Sequence, residues 1–515
     1  MTTLTSWWRR LLGVAPVVTR PQVRTSPLPM RGAAGIKAAY RGGMVGDRLL
    51  ESLHGEYGSA DRPIAASLAT VRARARHLAE NNAWMRRWLR QMIIGVLGPR
   101  GVILQNQARD ENSKHDIEAN RAIEDHWTRW GATCDVAGRL TFKQLADLAL
   151  TSTVRDGEIF IRLVPGWQGN GYRLGVQVLE ADMVDDQLTR RLPTGGRITM
   201  GIETDEWGRR VRYYVLQDHP GDRERRAGLP YIIVPAEQMI HIYLSDRPGQ
   251  TRGVPWVHAS MAMMHHLEQY VEAAVVNARI GACKMGFYTE GNTDIPLSEL
   301  ATREETETGE LITNVLPGVF DKLPRGWGFE PYDPTYPSGE FAEFFRAILK
   351  AFAAGVGVSY ASLSGDLSDT SYASSRVGII DDRDHYRWLQ RWFIGAFYAP
   401  LYAIWLDTAL LAGAITTSAG RPLPWAKRAK FAEAHWQTRG YDWVDPVKDI
   451  DAEVMAIYAG LKTRTEALAE RGRDLRETMQ QLAEEEELAA SLGLMFSRGK
   501  TEAARQTVPV EDERN

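Results

Sequence analysis

The chain has 515 residues, a length that predicts about three domains rather than a single core. Its 44% hydrophobic and 25% charged residues are typical of a soluble globular protein. The net charge of −3 excludes the global basic field of a non-specific DNA-binding protein, so any contact with DNA must be local.

Helical patterns dominate the first part of the chain. Residues 1–40 are rich in Pro, Gly and Arg and weakly periodic, which predicts a flexible N-terminal arm. Good helix formers predict a helix over 60–97 that Asn81-Asn82 can interrupt. The next predicted elements are a strand at 101–107, a helix at about 113–130 and a helix from Thr141 to about Arg155.

The pattern changes to strands between residues 157 and 245. There, β-branched or aromatic residues alternate with polar ones between Gly, Pro and Asp turns, which predicts a mostly antiparallel sheet. A helix over 254–280 follows, with Pro255 in its first turn. Short strands at 284–337 form a self-contained insert before a second helix at 339–356. We therefore predict a helix-rich α+β protein.

The helix at 339–356 has a wide apolar face. Its apolar side chains fall at helical spacing, which predicts a stripe of more than about 100°: Phe341, Phe344, Phe345, Ile348, Leu349 and Phe352. By itself this pattern also fits an ordinary core helix with a solvated face. If the helices at 254–280 and 339–356 pair antiparallel, the insert projects from one end of a two-helix stalk.

A long helix is predicted over 374–412. Its apolar stretch, 393–415, is nearly long enough to cross a bilayer. Asp407 and Pro400 argue against a membrane span, because a carboxylate in mid-bilayer costs a few kcal/mol. A buried helix is the preferred interpretation, and further helices follow after about residue 426.

The motifs of catalysis and cofactor binding fail on spacing. Gly493 is one residue too far from the GKT at 499–501 for a phosphate-binding loop, and Gly355-Val356-Gly357 follows a helix rather than a strand. Adjacent His265 and His266 point to different faces of a helix, unlike an i,i+4 zinc pair. We therefore predict no catalytic residue, cofactor or metal.

Two further groups suggest no chemistry. Asp381, Asp382 and Asp384 accompany Arg383 and Arg387 on a face expected to be exposed and salt-bridged rather than metal-binding. The two cysteines, Cys134 and Cys283, are too few for a disulfide framework and lack zinc-ligand spacing. We expect them to be reduced, as in a cytoplasm.

Three ordered blocks carry a family resemblance. Residues 338–378 begin with SGEFAEFFRAILKAFAAGVGVSYASLSGDLSDTSYASSR, in which a helix breaks into a Gly/Ser-rich loop and restarts. Residues 440–487 contain an Asp-Pro step, "GL-T" and "RG-D" before an acidic helix, and residues 249–288 begin with Arg252-Gly253 and a helix. Over roughly residues 40–490 the chain resembles lambda-like bacteriophage portal proteins.

The resemblance implies a portal-type architecture. The expected parts are an arm at 1–40, a wing at 41–253, a first stem helix at 254–282, a clip at 283–337, a second stem helix at 338–356, a tunnel loop at 357–373, a wing return helix at 374–425, and a helical crown and tail at 426–515.

The resemblance also implies site residues. The loop residues expected to line a DNA channel are Ser362, Ser364, Asp366, Ser368, Asp369, Thr370, Ser371 and Tyr372. The charged positions expected on the stem helices are Glu268, Glu272, Arg279, Glu340, Glu343, Arg346 and Lys350. Hydroxyl and acidic side chains without Lys or Arg suit contact with DNA without tight binding, because each neutralised phosphate adds affinity. An ordinary surface loop is the alternative.

The resemblance implies a ring-shaped DNA conduit at one capsid vertex of the virion, expected to be a dodecamer assembled in the host cytoplasm. Such a ring nucleates capsid assembly, docks the terminase for genome packaging and is the exit for genome ejection. The expected partners are double-stranded DNA, the terminase large subunit, the major capsid protein and scaffold, and head-completion or adaptor proteins, with no membrane. Two alternatives stay open, a metal- or nucleotide-dependent phage enzyme and a membrane-associated scaffold.

Overall fold

The described part of the chain combines helices with small antiparallel sheets. A computed structural model describes residues 58–112, 114–193, 195–222, 231–282, 286–290, 327–331, 340–366, 372–441, 446–471 and 473–494. The elements named below lie in the compact unit Ser59–Asn515. They form the helix-rich α+β class that the sequence predicts.

The α-helices are α1 (Asp61–Asn81), α2 (Ala83–Val96), α3 (Ile117–Gly131), α4 (Phe142–Asp156), α5 (Met261–Ala282), α6 (Glu340–Val356), α7 (Tyr360–Ser364), α8 (Tyr372–Phe393), α9 (Ala399–Leu411), α10 (Arg428–Phe431), α11 (Pro446–Tyr458), α12 (Arg464–Ala469) and α13 (Leu475–Ser491). The strands are β1 (Ile103–Asn106), β2 (Glu158–Pro165), β3 (Leu174–Leu179), β4 (Arg190–Arg191), β5 (Arg197–Thr199), β6 (Ile202–Thr204), β7 (Arg210–Val215), β8 (Ile232–Pro235), β9 (Met239–Tyr243), β10 (Gly286–Glu290), β11 (Trp327–Pro331) and β12 (Ala434–Gln437).

Local capping sets the boundaries of the first helices. Asn82 is extended and its side chain accepts the Met85 N–H at 2.8 Å, so α1 ends and α2 begins at the predicted interruption. Thr141 and Gln144 form a capping box at the start of α4. Gly157 ends α4 in the left-handed region, at φ 91°. The sequence predictions for these helices are confirmed to within a few residues.

The region predicted as one sheet forms two. Strand β2 is the centre of a three-stranded sheet of order β3-β2-β9, and β4 to β8 form a five-stranded sheet in chain order. Every pairing in these two sheets is antiparallel, as predicted. Phe160 of β2 packs against Tyr213 of β7 with ring centroids 5.8 Å apart, so the two sheets share a small core.

An aromatic core joins elements that are distant in sequence. The Trp127 ring of α3 lies 5.1 Å from the rings of Phe142 in α4 and Trp405 in α9. Trp130 and Phe397 are fully buried in the same cluster. The helices of the first part of the chain and the helix after residue 372 therefore belong to one core.

The predicted helix at 374–412 contains a π-helical turn, Ile394–Tyr398, between α8 and α9. Pro400 has no N–H to donate to the carbonyl four residues earlier, and its ring crowds that carbonyl, so the helix widens there. Among the described residues, Arg376–Leu411 is apolar and long enough to cross a membrane, and 44% of its most apolar window is buried. Trp405 is buried, and Asp407 pairs with Arg428, so this segment packs as a core helix.

The helices α5 and α6 form an antiparallel pair. Tyr270 contacts Phe341 near the start of α6, whereas Ser260, just before α5, lies beside Gly355 near the end of α6. The strands that extend them, β10 and β11, pair antiparallel from Gly286↔Pro331 to Glu290↔Trp327. This is the stalk expected to bracket the insert; the interior of that insert lies outside the described residues.

The helix predicted at 254–280 starts later than expected. Helix α5 begins at Met261, not at residue 254. The Trp256 N–H donates to the Val154 carbonyl at 3.2 Å, and a 3-10 turn, His258–Ser260, precedes the helix. These tertiary contacts hold the backbone of 254–260 against α4, so it cannot continue α5 backwards.

Candidate channel segment

The segment that follows α6 is folded against α8. Residues 360–364, predicted as part of a loop, form the short helix α7, with Ser359 at its N-cap and Gly365 ending it in the left-handed region at φ 73°. Within residues 357–373, Ser368, Asp369, Thr370 and Ser371 lie outside the described residues. Helix α8 begins at Tyr372.

Asp382 of α8 anchors the start of α7. Its carboxylate accepts the Ser359 N–H at 2.6 Å and the Ser359 hydroxyl at 2.7 Å, and also accepts the hydroxyl of Ser362. The Asp382 side chain is buried, which corrects its predicted place on an exposed acidic face. Because charge-assisted hydrogen bonds are about twice as strong as neutral ones, this carboxylate fixes α7 on α8.

Helix α2 holds the other side of the segment. The Ser362 carbonyl accepts from the Arg87 guanidinium at 3.1 Å and from the Gln91 side-chain amide. A Cβ at Gly365 would lie 3.0 Å from an Arg87 nitrogen, so a larger residue there would displace this contact. Ser362 is therefore bound on both its side chain and its backbone.

Asp366 lies at the point where the described part of the segment ends. Its carboxylate accepts from the Tyr360 hydroxyl at 3.3 Å and lies 3.7 Å from Nε of Arg346 in α6. The Ser364 hydroxyl accepts the Asp366 N–H at 3.0 Å. Two of the predicted channel residues, Ser364 and Asp366, and one predicted stem residue, Arg346, are thus brought together beside a cavity of 370 Å³.

The other predicted stem residues occupy different surroundings. Glu268 accepts from the Asn82 side chain at 2.6 Å, which ties α5 to the junction of α1 and α2. The ammonium group of Lys350 lies 5.6 Å from the centroid of the Tyr360 ring. The remaining positions with described side chains, Glu272, Arg279 and Glu343, are exposed; the side chains of Glu340 and Tyr372 are outside the described set.

A buried ionic network, which the sequence did not predict, lies at the entry to α5. The Glu158 carboxylate accepts from Arg252 at 2.7 Å, from Arg72 at 2.8 Å, from His241 at 2.8 Å and from the Gly253 N–H at 2.9 Å. The side chains of Glu158, Arg252 and His241 are fully buried. One carboxylate therefore connects α1, β2, β9 and the segment that leads into α5.

Burial and charge act on this network in opposite directions. Burial raises the pKa of Glu158, but Arg252, His241 and Arg72 outweigh it and hold that pKa far below its usual range. Burial lowers the pKa of His241 to about 4 despite its bond to Glu158. At neutral pH the neutral imidazole therefore donates Nε2–H to an ionised carboxylate.

The described residues offer weak candidates for other chemistry. Glu180, Asp182 and His219 place possible ligand atoms within 4.8 Å of one another, but Asp182 already pairs with Arg72 at 2.9 Å and with Arg76. Cys134 is buried, and burial raises its pKa to about 12, so its thiol is unreactive at neutral pH. Cys283 lies outside the described residues.

Known proteins resemble this chain over most of its length. The model for "Phage portal protein, lambda family" matches residues 46–390. The "Probable portal protein" of Halomonas phage phiHAP-1 is 32% identical over 457 residues, which cover 88% of this chain and 87% of that protein. "Portal protein B" of Escherichia phage lambda is 22% identical over 71% of this chain and 73% of its own length.

A solved structure also has a partly similar fold. A chain from the neck of an empty GTA particle, computed with C6 symmetry, superposes with a TM-score of 0.41 and 14% identity, over 82% of this chain and 95% of that chain. The family match and the phiHAP-1 relative establish the family without this structural similarity. The chain belongs to the lambda family of phage portal proteins, which are structural proteins of the virion's capsid vertex.

Proposed function

We propose that copies of this chain close into a ring of twelve that conducts double-stranded DNA into and out of the capsid. Family membership carries this proposal, and the stem gives it a physical basis. Val275 and Val276 of α5 are 53% and 46% exposed in one chain, and Phe344 of α6 is 49% exposed. Such surfaces on a narrow helical pair are what a neighbouring copy would cover in a cyclic assembly.

The segment after α6 is the proposed channel lining. Residues 357–366 are anchored by Asp382 and Arg87, so residues 367–371 would extend from a fixed base. In a ring, Asp366 and Asp369 would recur in every copy as acidic collars that repel phosphates and let DNA slide. The contact of Asp366 with Arg346 would reduce the charge of its collar in the resting ring.

The remaining partners follow from the same assembly. The insert after β10 would face outward as the clip and bind the terminase large subunit during packaging, then adaptor proteins after it. The ring would nucleate assembly of the major capsid protein and scaffold in the host cytoplasm. In this scheme the terminase hydrolyses nucleotide and the portal is a passive conduit.

Particle imaging of the purified protein tests the proposal. We expect rings with a central hole and a mass of roughly 0.7 MDa, from twelve chains of 57.8 kDa. A monodisperse monomer or dimer at all salt concentrations would overturn it. ATP hydrolysis by the purified ring would instead support the enzyme alternative.

A further inference from the structure

Three arginines surround one tyrosine near the start of the crown. The guanidinium carbons of Arg383 and Arg387 in α8 lie 5.5 and 5.6 Å from the centroid of the Tyr441 ring, and that of Arg439 lies 5.3 Å away. Tyr441 is fixed by its hydroxyl, which donates to the Gly95 carbonyl at 2.8 Å. We call Arg383, Arg387 and Arg439 the arginine cluster; no two of its members can be more than about 11 Å apart.

Arg387 opens this cluster to the surface, whereas Arg383 and Arg439 are partly buried and the Arg439 guanidinium also donates to the Ile94 carbonyl. Asp384 accepts from Arg387 at 2.8 Å, but the two side chains are 65% and 49% exposed. An exposed ion pair of this kind is weak and exchangeable. Arg383 and Arg387 are like charges at i,i+4, so the face that they share attracts carboxylates.

An exposed apolar stripe adjoins the arginine cluster on α8. Val377, Ile380 and Trp388 fall at i, i+3 and i+11 of the helix and are 68%, 44% and 53% exposed. Arg383 follows Ile380 at i+3, so the cluster flanks this stripe. The surface thus has an apolar strip with a basic edge.

Helix α13 presents the complementary pattern. It contains four consecutive glutamates, Glu484 to Glu487, and residues 479–488 are all exposed. Met479 and Leu482 are 47% and 53% exposed at i,i+3, and Glu485 follows Leu482 at i+3. This helix has an apolar strip with an acidic edge.

The two surfaces also share a physical problem. Like charges three or four residues apart destabilise a helix, and a helix of 17 residues with so little packing is marginal by itself. A basic and partly apolar partner would stabilise α13, and an acidic and partly apolar partner would stabilise the exposed face of α8. The two surfaces carry opposite charges, and each has an exposed apolar strip that the other can cover.

We propose that α13 of one copy docks on the arginine cluster and the apolar stripe of α8 in the neighbouring copy. This inference rests on the proposed ring and adds the surface that links successive crowns. Glu485 and Glu486, the two of these glutamates on the side of Leu482, replace Asp384 beside the arginine cluster, while Met479 and Leu482 cover Ile380 and Trp388. The contact is heterologous, because different surfaces of the two copies meet, as a closed ring requires.

A charge swap tests the contact. We expect Arg383→Glu with Arg387→Glu to raise the protein concentration at which rings dissociate by at least about tenfold, and Glu485→Arg with Glu486→Arg to do the same. Combining the four substitutions should restore that concentration to within about threefold of the original. The matched control is Arg191→Glu with Arg209→Glu, exposed arginines of the five-stranded sheet region, which should leave it unchanged. Additive loss in the fourfold variant would overturn the inference.

A cross-link separates this contact from ring formation itself. In a Cys283→Ser background, Arg387→Cys with Glu485→Cys and a short bis-maleimide should give a ladder of covalent multimers on a denaturing gel. Each cysteine alone should not. A ladder absent from samples that still image as rings would overturn the docking while the proposed function stands; absence of rings would count against the proposed function.

The same variants distinguish a nucleic-acid site. If the arginine cluster bound DNA instead, Arg383→Glu with Arg387→Glu would leave ring stability unchanged and weaken binding of a duplex oligonucleotide with a salt dependence. That outcome, too, would overturn the docking of α13.

Discussion

Removing Arg252 should destabilise the fold more than removing any exposed arginine. Arg252→Met leaves a side chain of similar length but deletes the 2.7 Å bond to Glu158. It also removes the donors to three carbonyls, those of Ala181, Met200 and Val184, at 2.8, 2.8 and 3.2 Å. Removing one partner of a buried ion pair costs about 3–5 kcal/mol, because the other charge stays buried.

The expected loss is measurable in the melting temperature. Unfolding entropy is about 2.1 cal/mol/K per residue, so for the compact unit Ser59–Asn515 a loss of 1 kcal/mol shifts the midpoint by about 1 °C, and Arg252→Met should lower it by about 3–5 °C. Scanning calorimetry or tryptophan fluorescence during heating would detect this change. The control is Arg212→Met, since Arg212 is 52% exposed and 3.5 Å from Glu203, and its loss should cost less than about 1 kcal/mol.

A double variant tests the cause. Adding Glu158→Gln to Arg252→Met removes the uncompensated charge, so the pair should lose less than the sum of the two single losses by at least about 1 kcal/mol. Strict additivity would refute the ionic explanation. If Arg252→Met has the same melting temperature as the original protein, the ionic network around Glu158 does not stabilise the fold.

Four further predictions follow from the described contacts. Burial lowers the pKa of His241 from 6.5 to about 4, so the unfolded chain binds more protons than the folded chain between these pH values, and stability falls as pH falls through this window. His241→Gln should therefore make the urea concentration at half-unfolding depend less on pH between 6.5 and 4. An unchanged pH dependence would contradict this. Asp382→Ala should release α7 from α8 and speed limited proteolysis near it at least about tenfold without loss of the ring, and unchanged cleavage rates would count against the anchor. Replacing residues 291–326 by Asn-Gly joins strand ends that already pair, so rings should form but fail to bind terminase, and normal packaging would exclude the clip assignment. Asp366→Lys with Asp369→Lys adds four charges per chain, about 48 in a ring of twelve, so DNA should be retained in a salt-sensitive way; ordinary ejection at all salt concentrations would exclude a channel position.

Short-range patterns were sufficient for most elements. Asn82 ends one helix and caps the next, and Thr141 and Gln144 cap α4, because these interactions span only three residues and are readable in the sequence. The boundary of α5 was wrong because tertiary contacts, not local propensity, hold residues 254–260. Periodicity also could not indicate that one run of strands divides into two sheets.

The important contacts of the site are long-range and therefore were not predicted. Glu158 lies 86 residues from Arg72 and 94 from Arg252, and no spacing rule connects them. Asp382 was grouped with its charged neighbours in sequence, although the burial of its carboxylate depends on Ser359, 23 residues earlier. Only the folded backbone indicates which of several adjacent acids is the anchor.

The Arg252-Gly253 pair shows how a motif can identify a family without revealing its chemistry. The resemblance located these residues at the entry to the first stem helix but gave neither a role. In the structure Arg252 neutralises Glu158, and a Cβ at Gly253 would collide with the carbonyl oxygen of Gly157, which itself needs φ 91°. The backbones at Gly157 and Gly253 therefore approach so closely that a side chain on either residue would push them apart. Because Glu158 also accepts the Gly253 N–H, charge and close approach act on the same peptide and together set the direction in which the chain enters α5.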